Sequence, residues 1–464
     1  MFIKNILLAF QLENYQNIRF LKFIYSHPRF WVFWGKRQFL VWTSKAQLLC
    51  LISVVVSIAL IVFVFLWKLW WLVSLLSTAV VFLLFPFYYI LWAYLVWPLD
   101  KYLKNKKIAQ AKARLWSFKN LRVIWITWSY WKTSQKEMLE SILSKKFKVL
   151  ASAWNKNTPL WISDVILNDL DESHEIFIVE MWAYQKWDIK ELCDIVNPEI
   201  WILTGITIQH LERFGSLENT IDAKFELIES IDKKWLAVMD WANENIISWL
   251  SNKKNSIWVE NIKAINYSWA IQYWDNFTGL SFEYNWSSIY TRLLAPHNVT
   301  ALIMCFEAAE YLWMQIWDVL WAIWELDYVE HRMQLIYNPT TNVRVIDDSY
   351  NGNIEWVKSI VKLLAHTKTD GRKLYLTPGL VELGDQSERV HIQLWTMLAW
   401  VVDKVLLIKN HSTDSIIQWL MNGWYNKKDI VVYPDTSTAH ADIWNILQSW
   451  DSIVFQNDWT DNYF

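Results

Sequence analysis

Two long apolar stretches dominate the first hundred residues of the chain. Residues 48–66 (LLCLISVVVSIALIVFVFL) contain no charged side chain, and a helix of that length can cross the hydrocarbon core of a bilayer. A second apolar stretch runs from about Leu69 to Trp97, and Lys68 is the charge between the two. The pattern predicts a transmembrane hairpin of two helices over residues 48–97.

Basic residues lie on both sides of this hairpin. A basic and aromatic segment precedes it at 1–47, and a basic linker follows at 98–116. Since Lys and Arg concentrate on the cytoplasmic side of membrane helices, both flanks are expected in the cytosol. The pattern predicts a multi-pass protein of the cytoplasmic membrane, with the bilayer as a partner and the long C-terminal part of the chain in the cytosol. The alternative is a buried helical hairpin within a soluble domain.

From residue 117 onward, short apolar runs alternate with helical patterns. The predicted strands lie at 121–126, 175–180, 199–204, 342–347, 373–377, 404–408, 429–433 and 451–455, and helical patterns lie at 134–145, 217–231, 298–312, 355–365, 386–400 and 412–422. This alternation is typical of α/β domains with largely parallel sheets. The turn residues of HRMQLIYNPTTN place a domain boundary near 331–342, which separates a domain at 117–331 from another at 332–464.

Charge and cysteine content exclude several classes of protein. The chain has 44 Lys and Arg residues against 46 Asp and Glu, a net charge of −2, so no overall basic field indicates nucleic acid as a partner. Its three cysteines are far apart in the sequence, without a CxxC pair. A disulfide framework and a zinc site are therefore not expected, and a reducing compartment fits.

The tryptophan and glycine counts are abnormal. Ordinary proteins contain about 7% glycine, whereas this chain of 464 residues has 9 glycines and 36 tryptophans. Some bacterial lineages read the codon UGA as glycine, and another common code table reads it as tryptophan. We therefore hypothesise UGA recoding: most of the printed tryptophans would be glycine in the native protein. Motifs in which backbone geometry requires glycine test this hypothesis.

Residues 121–136 (LRVIWITWSYWKTSQK) contain such a motif. With glycine at Trp125, Trp128 and Trp131 the stretch reads as a strand, a glycine-rich loop, a Lys-Thr pair and a helix. Consecutive N–H groups in such a loop form an anion nest, which requires glycine for positive φ and close approach. Lys132 would reach the terminal phosphates of a nucleotide, and Thr133 would place its hydroxyl on Mg²⁺. Taken literally, the indoles would fill the nest.

The short form TGxxGKT[ST] of this loop resembles the Mur ligase family. Further ordered segments resemble the family's motifs in the same way, with tryptophan on most of the family's glycines. They lie at 151–162 (ASAWNKNTPLWI), 179–189 (VEMWAYQKWDI), 204–230 (containing TGITIQHLERFGS), 295–313 (beginning APHNVTAL), 345–353 (VIDDSYNGN) and 381–395 (VELGDQSERVHIQLW). The resemblance covers about residues 117–464. It implies a P-loop central ATPase domain at 117–331 and a Rossmann-like C-terminal domain at 332–464.

The resemblance also implies a reaction. VIDDSYNGN is typical of the branch that adds D-alanyl-D-alanine to a UDP-muramoyl tripeptide, in the synthesis of cell-wall peptidoglycan. ATP phosphorylates a peptide carboxylate, and an amine then attacks the acyl phosphate. The implied cofactors are ATP and Mg²⁺, and the implied partners are a muramoyl-peptide precursor and D-Ala-D-Ala or a similar amine.

Site residues follow from the motifs that match. The implied catalytic residues are Lys132, Glu180, His210 and Lys224, of which the last aligns with a lysine that is carbamylated in many family members. The implied metal ligands are Thr133, Glu180, His210 and Lys224. The implied ATP-binding residues are Thr127, Trp128, Ser129, Tyr130, Trp131, Lys132, Thr133, Ser134, His297, Asn298, Arg332 and Asp347. The implied substrate-binding residues are Asp348, Ser349, Tyr350, Asn351 and Asn353.

The N-terminal part departs from the family pattern. Members of this branch begin with a soluble domain that grips the UDP-sugar end of the substrate, whereas the corresponding position here holds the basic segment and the apolar hairpin. Two alternatives therefore stay open. One is a Mur-like ligase that amidates or aminoacylates another carboxylate, on a lipid-linked or polymeric substrate. The other is a membrane scaffold that keeps the fold without turnover, against which the intact Lys132, Thr133, Glu180 and His210 argue.

Overall fold

The structure is a computed structural model of the 464-residue chain. It describes residues 41–66, 85–127, 132–152, 158–181, 188–203, 235–240, 243–253, 261–265, 271–349, 354–380, 387–410 and 413–456, with isolated positions at 6–8, 10, 11, 15, 20, 21, 25, 205, 221 and 225. The chain divides into two compact units, with the boundary between Lys107 and Ile108.

The N-terminal unit contains two long helices, α1 (Ser44–Leu66) and α2 (Phe85–Ser117). Within the described residues, one helical segment, Lys45–Phe63 in α1, is long and apolar enough to cross a membrane. Residues 69–84 of the second predicted span, which runs from Leu69 to Trp97, lie outside the described residues. The helix α2 continues into the second unit, and the predicted basic linker at 98–116 is helical.

A parallel sheet of six strands forms the centre of the second unit. Its strand order is β2-β3-β1-β4-β5-β6, and every neighbouring pair is parallel. The strands are β1 (Arg122–Thr127), β2 (Val149–Ala151), β3 (Ile176–Met181), β4 (Ile200–Leu203), β5 (Leu236–Asp240) and β6 (Asn261–Ile265). The helices connected to them are α3 (Lys132–Leu143), α4 (Pro159–Asn168), α5 (Asp188–Val196) and α6 (Glu244–Lys253).

The apolar runs of these strands explain the buried sheet. Successive side chains of a strand point to opposite faces. In β1, Ile124 and Ile126 pack into one hydrophobic cluster, while Val123 and Trp125 pack into the cluster on the other face. Both faces of the sheet are therefore covered, as a parallel sheet requires.

A small antiparallel sheet and a second α/β layer complete the unit. The small sheet has the order β7-β8-β9, and the second six-stranded sheet has the order β10-β11-β15-β12-β13-β14, with β10 antiparallel to β11 and the other pairs parallel. The strands are β7 (Gln272–Tyr273), β8 (Leu280–Tyr284), β9 (Ser287–Thr291), β10 (Gln334–Asn338), β11 (Val343–Asp348), β12 (Lys373–Thr377), β13 (Lys404–Ile408), β14 (Ile430–Tyr433) and β15 (Ser452–Gln456). The helices are α7 (Pro296–Tyr311), α8 (Ile316–Trp324), α9 (Ile354–His366), α10 (Ser387–Leu398), α11 (Thr413–Asn422) and α12 (Thr436–Ile446), with short 3-10 turns at Asp275–Phe277 and Lys427–Asp429.

Two tryptophans end helices in a left-handed backbone conformation. Trp313 follows α7 with φ 59° and Trp424 follows α11 with φ 66°. After α7, the N–H of Met314 donates to Ala309 O and the N–H of Trp313 donates to Glu310 O. After α11, the N–H of Tyr425 donates to Leu420 O and the N–H of Trp424 donates to Met421 O. This is the Schellman ending, whose left-handed residue is usually glycine.

Two further tryptophans occupy left-handed positions in tight turns. Asn285 and Trp286, with φ 47° and 62°, form the two-residue loop between β8 and β9, where Tyr284 pairs with Ser287. A loop with two positive φ values favours the dipeptide Asn-Gly. Trp450 (φ 74°) is the third residue of a turn in which the N–H of Asp451 donates to Gln448 O, a position that favours glycine.

Candidate active site

The carboxyl ends of β1 and β3 lie side by side at one edge of the central sheet. Ile126 pairs with Glu180, and Thr127 pairs with Met181. Helix α3 begins at Lys132, a few residues after β1 ends at Thr127. The order of strand, short loop and helix N terminus predicted from the sequence is therefore present, and the N terminus of a helix favours bound anions.

Glu180 lies in a buried polar network at this edge. Its side chain is 6% exposed, and the Nζ atom of Lys136 lies 3.5 Å from Glu180 Oε2. Lys136 Nζ donates a hydrogen bond of 2.6 Å to Ser152 O, and the N–H of Glu180 donates to Ser152 Oγ at 3.1 Å. Glu180 Oε2 accepts no hydrogen bond from the part of the chain that the structure describes. A buried carboxylate oxygen with free acceptor capacity fits a hard cation such as Mg²⁺.

Helix α3 is also fixed to α7. Gln135 Nε2 donates to Ala301 O at 3.0 Å and contacts Cys305 Sγ at 3.0 Å. Ser134, one of the predicted ATP-binding residues, is buried beside them, and its Oγ forms no hydrogen bond with the described residues. The two helices that carry predicted nucleotide contacts are therefore packed directly against each other.

The first turn of α7 contains His297 and Asn298, and both side chains are buried. Burial lowers the pKa of His297 well below its ordinary value, and the charge of Arg332 lowers it further. The imidazole ring is therefore neutral at physiological pH. It contacts the ring of Trp356 edge to face at 4.3 Å, and the guanidinium of Arg332 lies 5.7 Å from the same ring.

Asp347 and Asp348 end strand β11 close to Arg332. The N–H of Met333 donates to Asp348 Oδ1 at 3.3 Å, and the N–H of Ser349 donates to Asp347 Oδ1 at 3.1 Å. Burial raises the pKa of Asp348 to about 7, against the opposing charge of Arg332. His331 Nδ1 lies 2.8 Å from Asp347 Oδ2, and this contact raises the pKa of the histidine.

The structure thus groups the described site residues at two places. Thr127, Ser134 and Glu180 lie around β1, α3 and β3, whereas His297, Asn298, Arg332, Asp347, Asp348 and Ser349 lie where α7 meets the C-terminal domain. The side chains of Lys132 and Thr133 lie outside the described residues, as do Trp128, Ser129, Tyr130, Trp131, His210, Lys224, Tyr350, Asn351 and Asn353. Within the described ranges there is no group of three His, Cys, Asp or Glu residues that could hold a metal.

Three residues of these networks were not among the site residues predicted from the sequence. Lys136 and Ser152 surround Glu180, and His331 pairs with Asp347, although His331 reads in the sequence as a structural or surface residue. Lys136 has a weak sequence signal, because it lies one helical turn after Lys132 and therefore on the same face of α3. Ser152 lies in the motif at 151–162 but had no role assigned to it, and His331 carries no sequence signal.

Replacing Asp348 with Asn should change the dependence of stability on pH. Because the pKa of Asp348 is raised from 3.8 to about 7, the folded state retains a proton that the unfolded state loses between about pH 4 and pH 7. The stability contributed by this group is therefore present at low pH and lost as pH rises through that window. The free energy of unfolding of Asp348→Asn, relative to that of the wild type, should therefore increase by on the order of 1 to 4 kcal/mol between pH 4.5 and 7.5.

Urea unfolding of both proteins at several pH values measures this difference. The matched control is Asp414→Asn, which removes an exposed carboxylate in the first turn of α11. A stability difference between Asp348→Asn and the wild type that stays constant across the window would contradict the prediction.

Comparison with known proteins shows that the chain is similar to Mur ligases. Residues 126–309 match the Mur ligase middle domain. Similar proteins include the UDP-N-acetylmuramoyl-tripeptide–D-alanyl-D-alanine ligases of Escherichia coli (27% identical over 322 residues, 67% of this chain and 70% of that protein) and Bacillus subtilis (24% identical over 273 residues, 58% of each). The corresponding enzyme of Borreliella burgdorferi is 25% identical and is covered over 64% of its length. The chain thus spans 58–70% of the length of these relatives.

Similar folds occur among solved structures. MurF of Acinetobacter baumannii has a TM-score of 0.63 at 20% identity, over 77% of this chain and 78% of that one. MurF ligase of Thermotoga maritima, determined in complex with ADP, has a TM-score of 0.63 at 21% identity, over 76% and 80% of the two chains. The predicted α/β fold with a parallel sheet core is therefore confirmed.

Proposed function

We propose that this chain, which contains a Mur ligase middle domain at residues 126–309, is an ATP-dependent amide ligase of peptidoglycan precursor synthesis. Its reaction would join D-alanyl-D-alanine to a UDP-muramoyl tripeptide, the reaction named for its curated relatives. The observation that carries the proposal is the buried Glu180, whose Oε2 atom accepts no hydrogen bond from the described residues and lies 3.5 Å from Lys136 in the helix that follows the predicted phosphate loop.

The chemistry requires two steps at one site. The terminal phosphoryl group of ATP passes to an oxygen of the peptide carboxylate and releases ADP. The amine of the second substrate then attacks the acyl carbon, expels inorganic phosphate and loses a proton. Negative charge develops on phosphoryl oxygens in the first step, so cations must be concentrated there.

The two parts of the site would have different roles in these steps. Lys132 and the N terminus of α3 would hold the terminal phosphates. Magnesium, when bound, would neutralise phosphoryl charge, and Thr133, Glu180, His210 and the carbamate of Lys224 that the family resemblance implies would hold it. The neutral His297 and Asn298 would contact the nucleotide, and Arg332 and Asp347 would meet it from the C-terminal domain. Asp348, Ser349, Tyr350, Asn351 and Asn353 would contact the substrate.

The chain's second proposed property is its attachment to the cytoplasmic membrane. The apolar segment Lys45–Phe63 supports one span, and the uncharged stretch from Leu69 to Trp97 supports a second. The basic flanks support a cytosolic location of the ligase domains. The full chain should then stay in the membrane pellet after an alkaline carbonate wash, and its release into the supernatant would refute this attachment.

Phosphate release by the full chain in detergent tests the ligase proposal. ATP hydrolysis should require both UDP-muramoyl tripeptide and D-Ala-D-Ala, because acyl phosphate is consumed only when the amine attacks. Omitting either substrate, or replacing D-Ala-D-Ala with L-Ala-L-Ala, should return the rate to background. A rate that does not respond to the pair would reject this acceptor.

A Mur-like ligase acting on a different carboxylate is the second candidate. The observation that favours it is the apolar and basic composition of the first hundred residues, which is unlike a pocket for a uridine diphosphate. In that case ATP hydrolysis should respond to a lipid-linked muramoyl peptide and an amine, and not to the soluble UDP-linked substrate.

A further inference from the structure

The buried lysine of α3 has no place in the mechanism described above. Lys136 is 2% exposed, lies one helical turn after Lys132, and points back toward the carboxyl edge of the central sheet. Its ammonium group makes its short hydrogen bond to a backbone carbonyl, Ser152 O, at 2.6 Å. Its distance to Glu180 Oε2 is 3.5 Å, which is too long for a strong hydrogen bond.

Lys136 supplies Glu180 with a compensating charge but not with a hydrogen bond. The ammonium neutralises the carboxylate of Glu180 by its charge, yet it leaves Oε2 without a hydrogen bond from any described residue. A buried carboxylate without a cationic partner is strongly unfavourable, so removing one partner of a buried pair destabilises a protein. Lys136 thus stabilises Glu180 in the absence of metal without using up the oxygen that a metal would need.

A second carboxylate lies near the same ammonium. Glu140 is one turn further along α3, its pKa is raised by burial, and the charge of Lys136 opposes that rise. Glu140 is half-buried and therefore retains part of its hydration. Glu180 is almost fully buried and depends more strongly on the lysine.

We propose that Lys136 is a built-in counter-ion that makes magnesium binding at Glu180 conditional on bound nucleotide. The inference rests on the proposed function, since it assumes that Glu180 is a metal ligand. With Lys136 in place the carboxylate is already neutralised, and a divalent cation gains little from it. The phosphates of a nucleotide supply the additional negative charge, so the metal binds together with ATP. Lys136 is therefore a positioning residue that acts through Glu180.

Thermal unfolding of the full chain in detergent tests this inference without an activity measurement. In the wild type, magnesium alone should raise the melting temperature by less than about 1 °C, whereas magnesium with ADP should raise it by several degrees. The Lys136→Met variant should melt several degrees lower than the wild type without ligand. Magnesium alone, at millimolar concentration, should then restore several degrees, because the cation takes over the role of the missing ammonium.

Three further variants separate the counter-ion role from a merely structural one. Lys136→Arg keeps the charge and should respond like the wild type. Lys145→Met removes the exposed lysine paired with Glu325, and its magnesium response should be unchanged. The double variant Lys136→Met/Glu180→Gln removes both charges, so it should fold but show no response to magnesium alone. If Lys136→Met is unfolded without metal, its refolding yield in a magnesium series replaces the melting temperature.

The outcomes are distinct for the two proposals. If Lys136→Met is destabilised and magnesium alone restores nothing, the counter-ion inference fails. It fails equally if the wild type already responds to magnesium without nucleotide. If the wild type shows no stabilisation by magnesium with ADP, the proposed ligase function fails, and the inference fails with it. Stabilisation of the wild type by magnesium with ADP, together with a response to magnesium alone that appears only in Lys136→Met, supports both.

Discussion

Replacing Lys132 with Ala should lower substrate-dependent ATP hydrolysis by roughly a thousandfold. The expectation rests on the position of Lys132 as the first residue of α3, directly after the loop that follows β1. A cation at this place would neutralise the charge that develops on the terminal phosphoryl group. The rate is measured as phosphate release with both proposed substrates present.

A lysine just beyond the end of the same helix provides the matched control. Lys145 is exposed and forms an ion pair with Glu325, so Lys145→Ala should keep the wild-type rate within about twofold, as expected for an exposed pair. Lys132→Arg should retain part of the rate, because arginine keeps the positive charge but replaces the compact ammonium group with a planar guanidinium. An unchanged rate in Lys132→Ala would refute the phosphate-loop assignment, whatever the acceptor substrate is.

The sequence was most informative where strands are buried on both faces. The predicted strands 121–126 and 175–180 correspond to β1 (Arg122–Thr127) and β3 (Ile176–Met181), because a fully buried parallel strand appears as a continuous apolar run. Short strands lacked that signal. β2 has three residues, Val149–Ala151, and β7 has two, which is too short for any periodicity.

The sequence predicted only those residues of the candidate site that lie within a recognisable motif. The adjacency of Thr127 and Glu180 follows from the pairing of two parallel strands, which the order of elements makes possible. The network around Glu180 joins Lys136, Ser152 and Glu180, which are far apart in the sequence. Such contacts depend on tertiary packing, and no local pattern in one sequence encodes them. The same is true of His331 and Asp347.

Mass spectrometry of the native protein should find glycine at most of the printed tryptophans. The backbone supports this expectation independently of any family motif, because Trp286, Trp313, Trp424 and Trp450 all have φ between 59° and 74°. Each L residue held in this region costs roughly 1–2 kcal/mol, and glycine incurs no such cost. Three of these indoles are also largely exposed, at 102%, 80% and 88% for Trp286, Trp313 and Trp424.

Buried indoles point in the same direction. Trp125 and Trp201 are neighbours in β1 and β4, both are almost fully buried, and neither Nε1 atom finds an acceptor among the described residues. A buried donor without a partner costs about 1–3 kcal/mol. Glycine at these two positions has no side-chain donor to satisfy.

Two tryptic peptides measure the prediction most directly. The peptide at 410–427 contains Gly423, which is printed as glycine and serves as the internal control, beside Trp419 and Trp424. The peptide at 123–132 contains Trp125, Trp128 and Trp131. Fragment masses should show glycine at Trp424 and at all three positions of the second peptide, and the corresponding codons should be UGA. UGG codons, or tryptophan masses, would overturn the recoding hypothesis.

The result at residues 128 and 131 also bears on function. An anion nest forms only where successive backbone N–H groups can approach a phosphate, and an indole at either position would occupy that space. Tryptophan masses there would therefore remove the physical basis for nucleotide binding at α3, and the chain would retain the fold without the proposed chemistry. Glycine masses would make the loop before Lys132 competent to bind phosphate, so that the same measurement tests the genetic code and the ATP site together.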